Sequence, residues 1–143
     1  MRKVSIFIII LISFTVSSCT KNAGKIYSKK EANELYGNVT YQTQFPAVKI
    51  KEWLNKTENK IMFGFSENKL IVCGDNREVL LLTGVDRIRS SDTLRVFDKS
   101  IVEKFLQREK SDTLALEFRG KVFTISGNKY TLEYSFPCPP FCE

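Results

Sequence analysis

Histidine is absent from all 143 residues. With it go the commonest general base, the usual activating partner of a serine or cysteine nucleophile, and the commonest metal ligand. No catalytic motif takes its place. Cysteine occurs only four times and no C-x-x-C pair exists. The C-x-x-x-C spacing of Cys138 and Cys142 is a weak redox signal, because thioredoxin-like sites use C-x-x-C beside a parallel strand-helix unit. A dominant charge is missing too. Lys and Arg number 22 against 16 Asp and Glu, but the two signs alternate and no long basic block marks a nucleic-acid patch. Carboxylates are what remain. Asp92 and Asp112 stand in a repeated Ser-Asp-Thr-Leu, at 91–94 and 111–114. Both could project from one end of a sheet, although turn hydrogen bonds at a strand entry are the simpler expectation. Asp75 and Asn76 read as hairpin residues. No catalytic residue, cofactor or metal site is expected.

A membrane-spanning run is also missing, since the apolar stretch from Val4 to Val16 falls short of the ~20 residues that a helical span needs. Its surroundings explain it differently. Arg2 and Lys3 precede it and small residues, Ser17 and Ser18, follow, which is the pattern of a secretory signal peptide. Val16-Ser17-Ser18-Cys19 resembles the lipobox of bacterial lipoproteins. That resemblance implies diacylglyceryl transfer to the Cys19 sulfur, cleavage before it, and further acylation (palmitate or a similar chain) of the freed amine. Residues 1–18 are then signal, 19–25 a lipidated tether and 26–143 one α+β domain. Each buried methylene contributes ~0.8 kcal/mol and stable attachment takes at least two chains, which this modification supplies. Without Arg2 and Lys3, 20 basic side chains face 16 acidic ones, a mild excess suited to the vicinity of an anionic bilayer.

Beyond the tether, punctuation divides the chain. Ser28-Lys29-Lys30-Glu31 is a capping-box pattern and Gly37 a helix stop, predicting a short helix over 29–36. Val39, Tyr41, Thr43 and Phe45 alternate as in a strand, and Pro46 sits where the first turn of a helix tolerates it. Ala47, Ile50, Trp53 and Leu54 share one helical face. The period then falls to two. Strands are predicted at 61–65, 70–73 and 79–82, with a bridging segment at 84–91 and a further strand at 94–97. Ser100-Ile101-Val102-Glu103 reads as a second capping box, opening a helix whose apolar face is Ile101, Val102, Phe105 and Leu106. Strands at 114–118, 122–125 and 130–134 follow.

These two halves match at a spacing of 52 or 53: Trp53-Leu54 with Phe105-Leu106, Ile61 and Phe63 with Leu114 and Leu116, and Leu70-Ile71 with Val122-Phe123. An internal repeat, 38–83 and 92–135, is therefore expected. The fold class is α+β, a mainly antiparallel sheet built from two β-α-β-β-β units preceded by a short helix. Such a doubled unit is similar in topology to one domain of the DNA sliding clamps. That likeness concerns element order alone and speaks to fold, not function. Lys49, Lys51, Lys56, Lys104 and Arg108 lie beside Glu52, Glu103 and Glu109, not on a clean basic face. No nucleic-acid partner is expected.

Trp53 and Phe105 are expected as core anchors. In an oxidising envelope, Cys138 closes on Cys142 around the Pro-Pro turn, or either joins Cys73. The reading is of an envelope lipoprotein held by lipid, at the outer membrane where two membranes exist. It acts as a non-catalytic binding or structural module toward an unidentified envelope protein or ligand. The competing reading is a thiol-based redox or metal-handling lipoprotein using Cys73, Cys138 and Cys142, since thiolates suit soft ions.

Overall fold

The computed structural model describes residues 22–120 and 122–138. The stretch read as a signal peptide, Cys19, Pro139, Pro140 and Cys142 lie outside these residues. Strand β1 (Lys25–Ser28) leads into helix α1 (Lys29–Tyr36). The capping box is present as read: the Glu31 N–H donates to Ser28 Oγ, and the Ser28 N–H donates to Glu31 Oε2 at 2.9 Å. Gly37 ends the helix at φ 74°, a backbone region that favours glycine.

Two units of one design follow. The first is β2 (Tyr41–Pro46), α2 (Ala47–Leu54), β3 (Lys60–Ser66), β4 (Lys69–Cys73) and β5 (Val79–Leu82). The second is β6 (Leu94–Asp98), α3 (Lys99–Glu109), β7 (Thr113–Arg119), β8 (Val122–Ser126) and β9 (Tyr130–Glu133), and β10 (Phe136–Cys138) is the last element among the described residues. The strands form two antiparallel sheets, β1-β9-β8-β7-β2 and β10-β6-β3-β4-β5. Each unit's first strand has crossed into the other unit's sheet. The register repeats as well: Phe45 faces Leu114 where β2 meets β7, and Phe97 faces Ile61 where β6 meets β3. Both helices start from the same joint. The Ala47 N–H donates to the Asp112 carbonyl at 2.7 Å, and the Lys99 N–H donates to the Asn59 carbonyl at 2.8 Å.

Period-two alternation in the strands and one apolar face on each of α2 and α3 are what allow this closure. The main core joins Ile50, Trp53 and Leu54 of α2, Val102 and Phe105 of α3, and the facing sides of both sheets. At its centre Phe63 of β3 stacks on Phe123 of β8, centroids 5.5 Å apart and planes 10° from parallel, with Phe97 and Trp53 edge-on or tilted around them. Such aromatic pairs add about 0.5–1.5 kcal/mol beyond area burial. Trp53 and Phe105 occupy equivalent helix positions, both buried. A smaller apolar cluster, including Met62, Ile71, Leu94 and Val96, lies against Leu82, Val85 and Ile88.

Four local expectations need correction. Pro46 is the last residue of β2 and caps α2, which begins at Ala47. Ser100 opens no capping box, because α3 starts at Lys99 with Asp98 as N-cap; the Asp98 carboxylate accepts the Ala23 N–H instead, at 2.9 Å. The segment read as tether is fixed well before Lys25, with Ala23 buried and Lys25 already in β1. The tail, whose prolines lack the backbone donors of a regular ladder and so argue against a strand, nevertheless forms one: Phe136 faces Val96 and Cys138 faces Leu94 on β6. Pro137 is tolerated because β10 is an edge strand.

Truncating either anchor empties the space between the sheets. Trp53→Ala and Phe105→Ala should each lower the unfolding free energy by about 3–5 kcal/mol in a denaturant titration. A loss under about 1 kcal/mol would place that side chain outside the core.

Candidate functional site

Helices α2 and α3 run side by side, and their outer sides enclose a groove. At one end, about 670 Å³ is bounded by Ala47, Val48 and Lys51 of α2 and by Leu106, Lys110 and Asp112 in and beyond α3. It continues past Lys51 and Gln107 to Asn55 and Glu103, a further 520 Å³. Aliphatic side chains form its floor and amide or charged tips its rim. Val48 is 57% exposed there. Lys49 is tied to Glu52 at 2.8 Å. A concave, partly apolar surface with a few polar groups is suited to binding.

Carboxylates elsewhere are engaged in holding the fold. In the first unit Asp75, on the turn after β4, accepts the backbone N–H groups of Glu58, Asn59 and Lys60, at 2.6, 3.2 and 3.0 Å, and the Thr57 hydroxyl. The second unit makes the same joint with the roles exchanged. Glu109, ending α3, accepts the N–H groups of Asn128, Lys129 and Tyr130 on the β8–β9 turn, and the Ser111 hydroxyl. Gly127 lets that carboxylate approach, since a Cβ there would overlap the Glu109 side chain. For both acids burial raises the pKa, and the hydrogen bonds outweigh it, leaving each below the ordinary carboxylate range.

A third polar cluster lies under α1. Glu117 Oε2 accepts from Arg119 Nε and Nη2, the Thr124 hydroxyl and the Ser126 hydroxyl, at 2.7–3.1 Å. Arg119 Nη1 reaches Asn33 Oδ1 of α1 and the Gly37 carbonyl. Glu117 and Arg119 are 4% and 2% exposed, so the pair is fully enclosed and its donors and acceptors face one another.

The structure does not bring Asp92 and Asp112 together. Asp92 accepts from the Arg89 N–H at 2.8 Å and the Ser66 hydroxyl at 3.2 Å, beside the β3–β4 hairpin. Asp112 sits in the helix groove. Among the described residues no three Cys, Asp or Glu side chains are grouped to hold a metal. Cys73 is a buried free thiol, so the alternative that joined it to the tail is corrected. Cys73 on β4 and Cys138 on β10 are separated by β3 and β6. Three strand spacings are roughly 14 Å, whereas a disulfide spans about 4.4–6.8 Å between Cα atoms. Burial pushes the Cys73 thiol up to about 11, against a weaker opposing effect of Arg77.

No family model, curated protein or solved structure matches this chain.

Sequence reasoning found Asp75 only as a turn residue and did not single out Glu109, Glu117 or Arg119 as a site. For β7 the signal was available in the alternation Thr-Leu-Ala-Leu-Glu-Phe-Arg, which puts Glu117 and Arg119 on one face. Burial of that face depends on α1 folding back over it, a tertiary fact that periodicity does not carry.

The two carboxylate joints generate a pH dependence. A depressed folded-state pKa contributes stability above the unfolded value, near 4, that is lost as pH falls through the folded value. Urea melts from pH 7 downward should show stability declining below about pH 5. Glu109→Gln should cost on the order of 1–3 kcal/mol at pH 7 and flatten the acid limb. An unchanged limb in the variant would remove Glu109 from this role.

Proposed function

We propose that this chain is an envelope lipoprotein, anchored through Cys19, whose domain acts as a non-catalytic binding or structural module through the groove between α2 and α3. The observation that carries the reading is a division of labour among polar groups. Asp75, Glu109 and the Glu117–Arg119 pair are committed to donors and acceptors within the fold. The rim of the groove, in contrast, holds Lys51 and Lys110, both exposed, outside the ion pairs found among the described residues. Groups already fully bonded are poor candidates for transferring a proton to a substrate. Exposed groups beside apolar wall are available to a partner. No helix among the described residues is long and apolar enough to cross a membrane, which agrees with attachment by lipid and says nothing of strands.

The thiol-based alternative loses its central member. A Cys73 thiol buried at 0% exposure and titrating near 11 is neither accessible nor ionised at neutral pH. For the tail we propose a local Cys138–Cys142 bridge; that Cys138 is bonded through sulfur while Cys73 is free supports it. Nor does the likeness in element order to a clamp domain bring a nucleic-acid role, because the groove's cations are interspersed with Asp112 and Glu103.

Metabolic labelling with an alkyne fatty acid should mark the wild type and leave Cys19→Ala unmarked; equal marking would remove the anchor. Pull-down from envelope extract should recover a partner that Lys51→Glu with Lys110→Glu loses and Lys69→Glu keeps, all three proteins melting alike. Equal recovery by the groove variant would contradict binding there. Thiol titration under non-reducing conditions should find Cys73 slow and Cys138 unreactive. Rapid reaction of all three mature thiols after Cys19 would restore the thiol reading.

A further inference from the structure

The described chain begins at a specific corner of the domain. The Ala23 N–H donates to the Asp98 carboxylate at 2.9 Å, the Asp98 N–H returns a bond to the Ala23 carbonyl at 2.7 Å, and the Gly24 N–H donates to the Tyr134 carbonyl at 2.9 Å. Ala23 is 3% exposed. Gly24, at φ +124°, lies so close to Ile101 of α3 that a Cβ there would overlap its side chain. The strap is therefore part of the packed domain. Only Asn22 and the two residues before it separate this point from Cys19, and the four Cα-to-Cα steps from Cys19 to Ala23 span at most about 14 Å when fully extended.

We infer that the domain is held close against the lipid surface in one orientation, with the start of α3 and the loop before β3 facing the bilayer. This rests on lipidation at Cys19, proposed above. The facing corner is defined by bonds already described. Asp98 is paired in register with Lys60, the Lys99 N–H binds the Asn59 carbonyl, and Lys99 Nζ binds the Thr57 carbonyl at 2.9 Å. Ser100 and Glu58 are exposed at this corner. From there β3 runs seven residues to the β3–β4 hairpin, which lies roughly 20 Å away along the strand at ~3.3 Å per residue. Lys69 and Ser91 are exposed at that distant end. A tether of about 14 Å is shorter than this dimension, so the hairpin end cannot exchange places with the anchored corner while the strap holds. The occupant of the corner is the bilayer surface itself. Lipid acyl chains fixed at Cys19 bring headgroups to it without requiring a basic patch, and the corner is of mixed sign: Lys25, Lys56, Lys60 and Lys99 are interspersed with Glu58, Asp75, Glu78 and Asp98.

The test uses the full lipidated protein in vesicles carrying a nitroxide on the lipid headgroup. A dye is attached by click chemistry at one of four exposed positions, so that native thiols are not used: Ser100→p-azidophenylalanine, Glu58→p-azidophenylalanine, Lys69→p-azidophenylalanine or Ser91→p-azidophenylalanine. Quenching should be several-fold stronger at 100 and 58 than at 69 and 91. Inserting ten Gly/Ser residues between Thr20 and Lys21 should abolish the difference while leaving flotation with the vesicles intact. Equal quenching at all four sites in the uninserted protein, or stronger quenching at 69 and 91, would overturn the orientation while the anchor stands. Failure to float would overturn the anchor, and the orientation with it.

Discussion

Each unit lends its first strand to the other. Strand β2 completes the sheet of β7, β8 and β9, and β6 completes that of β3 and β4. A three-stranded meander by itself leaves both edges unpaired and its apolar face uncovered. In this chain the missing edge strand and the missing cover for the apolar face arrive together from the other half. Phe63 and Phe123, one from each unit, stack where the two sheets meet, so the centre of the core belongs to neither unit alone. The joints at the starts of α2 and α3 extend the same dependence, because each helix N–H is received by the residue just before a strand of the other unit, Asp112 before β7 and Asn59 before β3.

This interlocking draws on much of the polar inventory. The Asp75 and Glu109 carboxylates join helix exit to hairpin in their respective units, with the acid on opposite members of the joint. One structural need has been met by two different residues, which is why a residue-by-residue comparison of the repeats does not expose it. The two outer faces also differ. The sheet containing β3 covers its outside with the apolar segment around Val85 and Ile88, and the sheet containing β7 covers its outside with α1 above the Glu117–Arg119 pair. Enclosed ion pairs contribute little net stability against a well-packed apolar substitute, but losing one partner is costly. Symmetry in the framework thus coexists with two unlike exteriors.

Much of the framework was legible in the sequence because its signals are local. The capping box at Ser28 and Glu31, the glycine stop at Gly37 and the two-residue period of Ile61, Phe63 and Phe65 each constrain a few neighbouring residues. The repeat was legible because Trp53 and Phe105 must fill equivalent positions. What was not legible is tertiary. Nothing near Asp98 announces that its carboxylate receives the Ala23 N–H, and so Ser100 offered a plausible but false cap. Strand β10 was missed because Pro137 argues against a strand, and only its edge position makes it acceptable. The groove, in the same way, belongs to two helices 52 residues apart in register, and no single segment of sequence describes it.

Dividing the chain between the units tests the interlocking most directly. Residues 22–91 and 92–138 would be purified separately and followed by far-UV circular dichroism during thermal melting, alone and after mixing. The account predicts that neither half melts cooperatively by itself and that mixing restores a cooperative transition, because each supplies the other's edge strand and half of the aromatic core. A cooperative melt from either half alone would show that a unit closes without its exchanged strand, and would contradict the account.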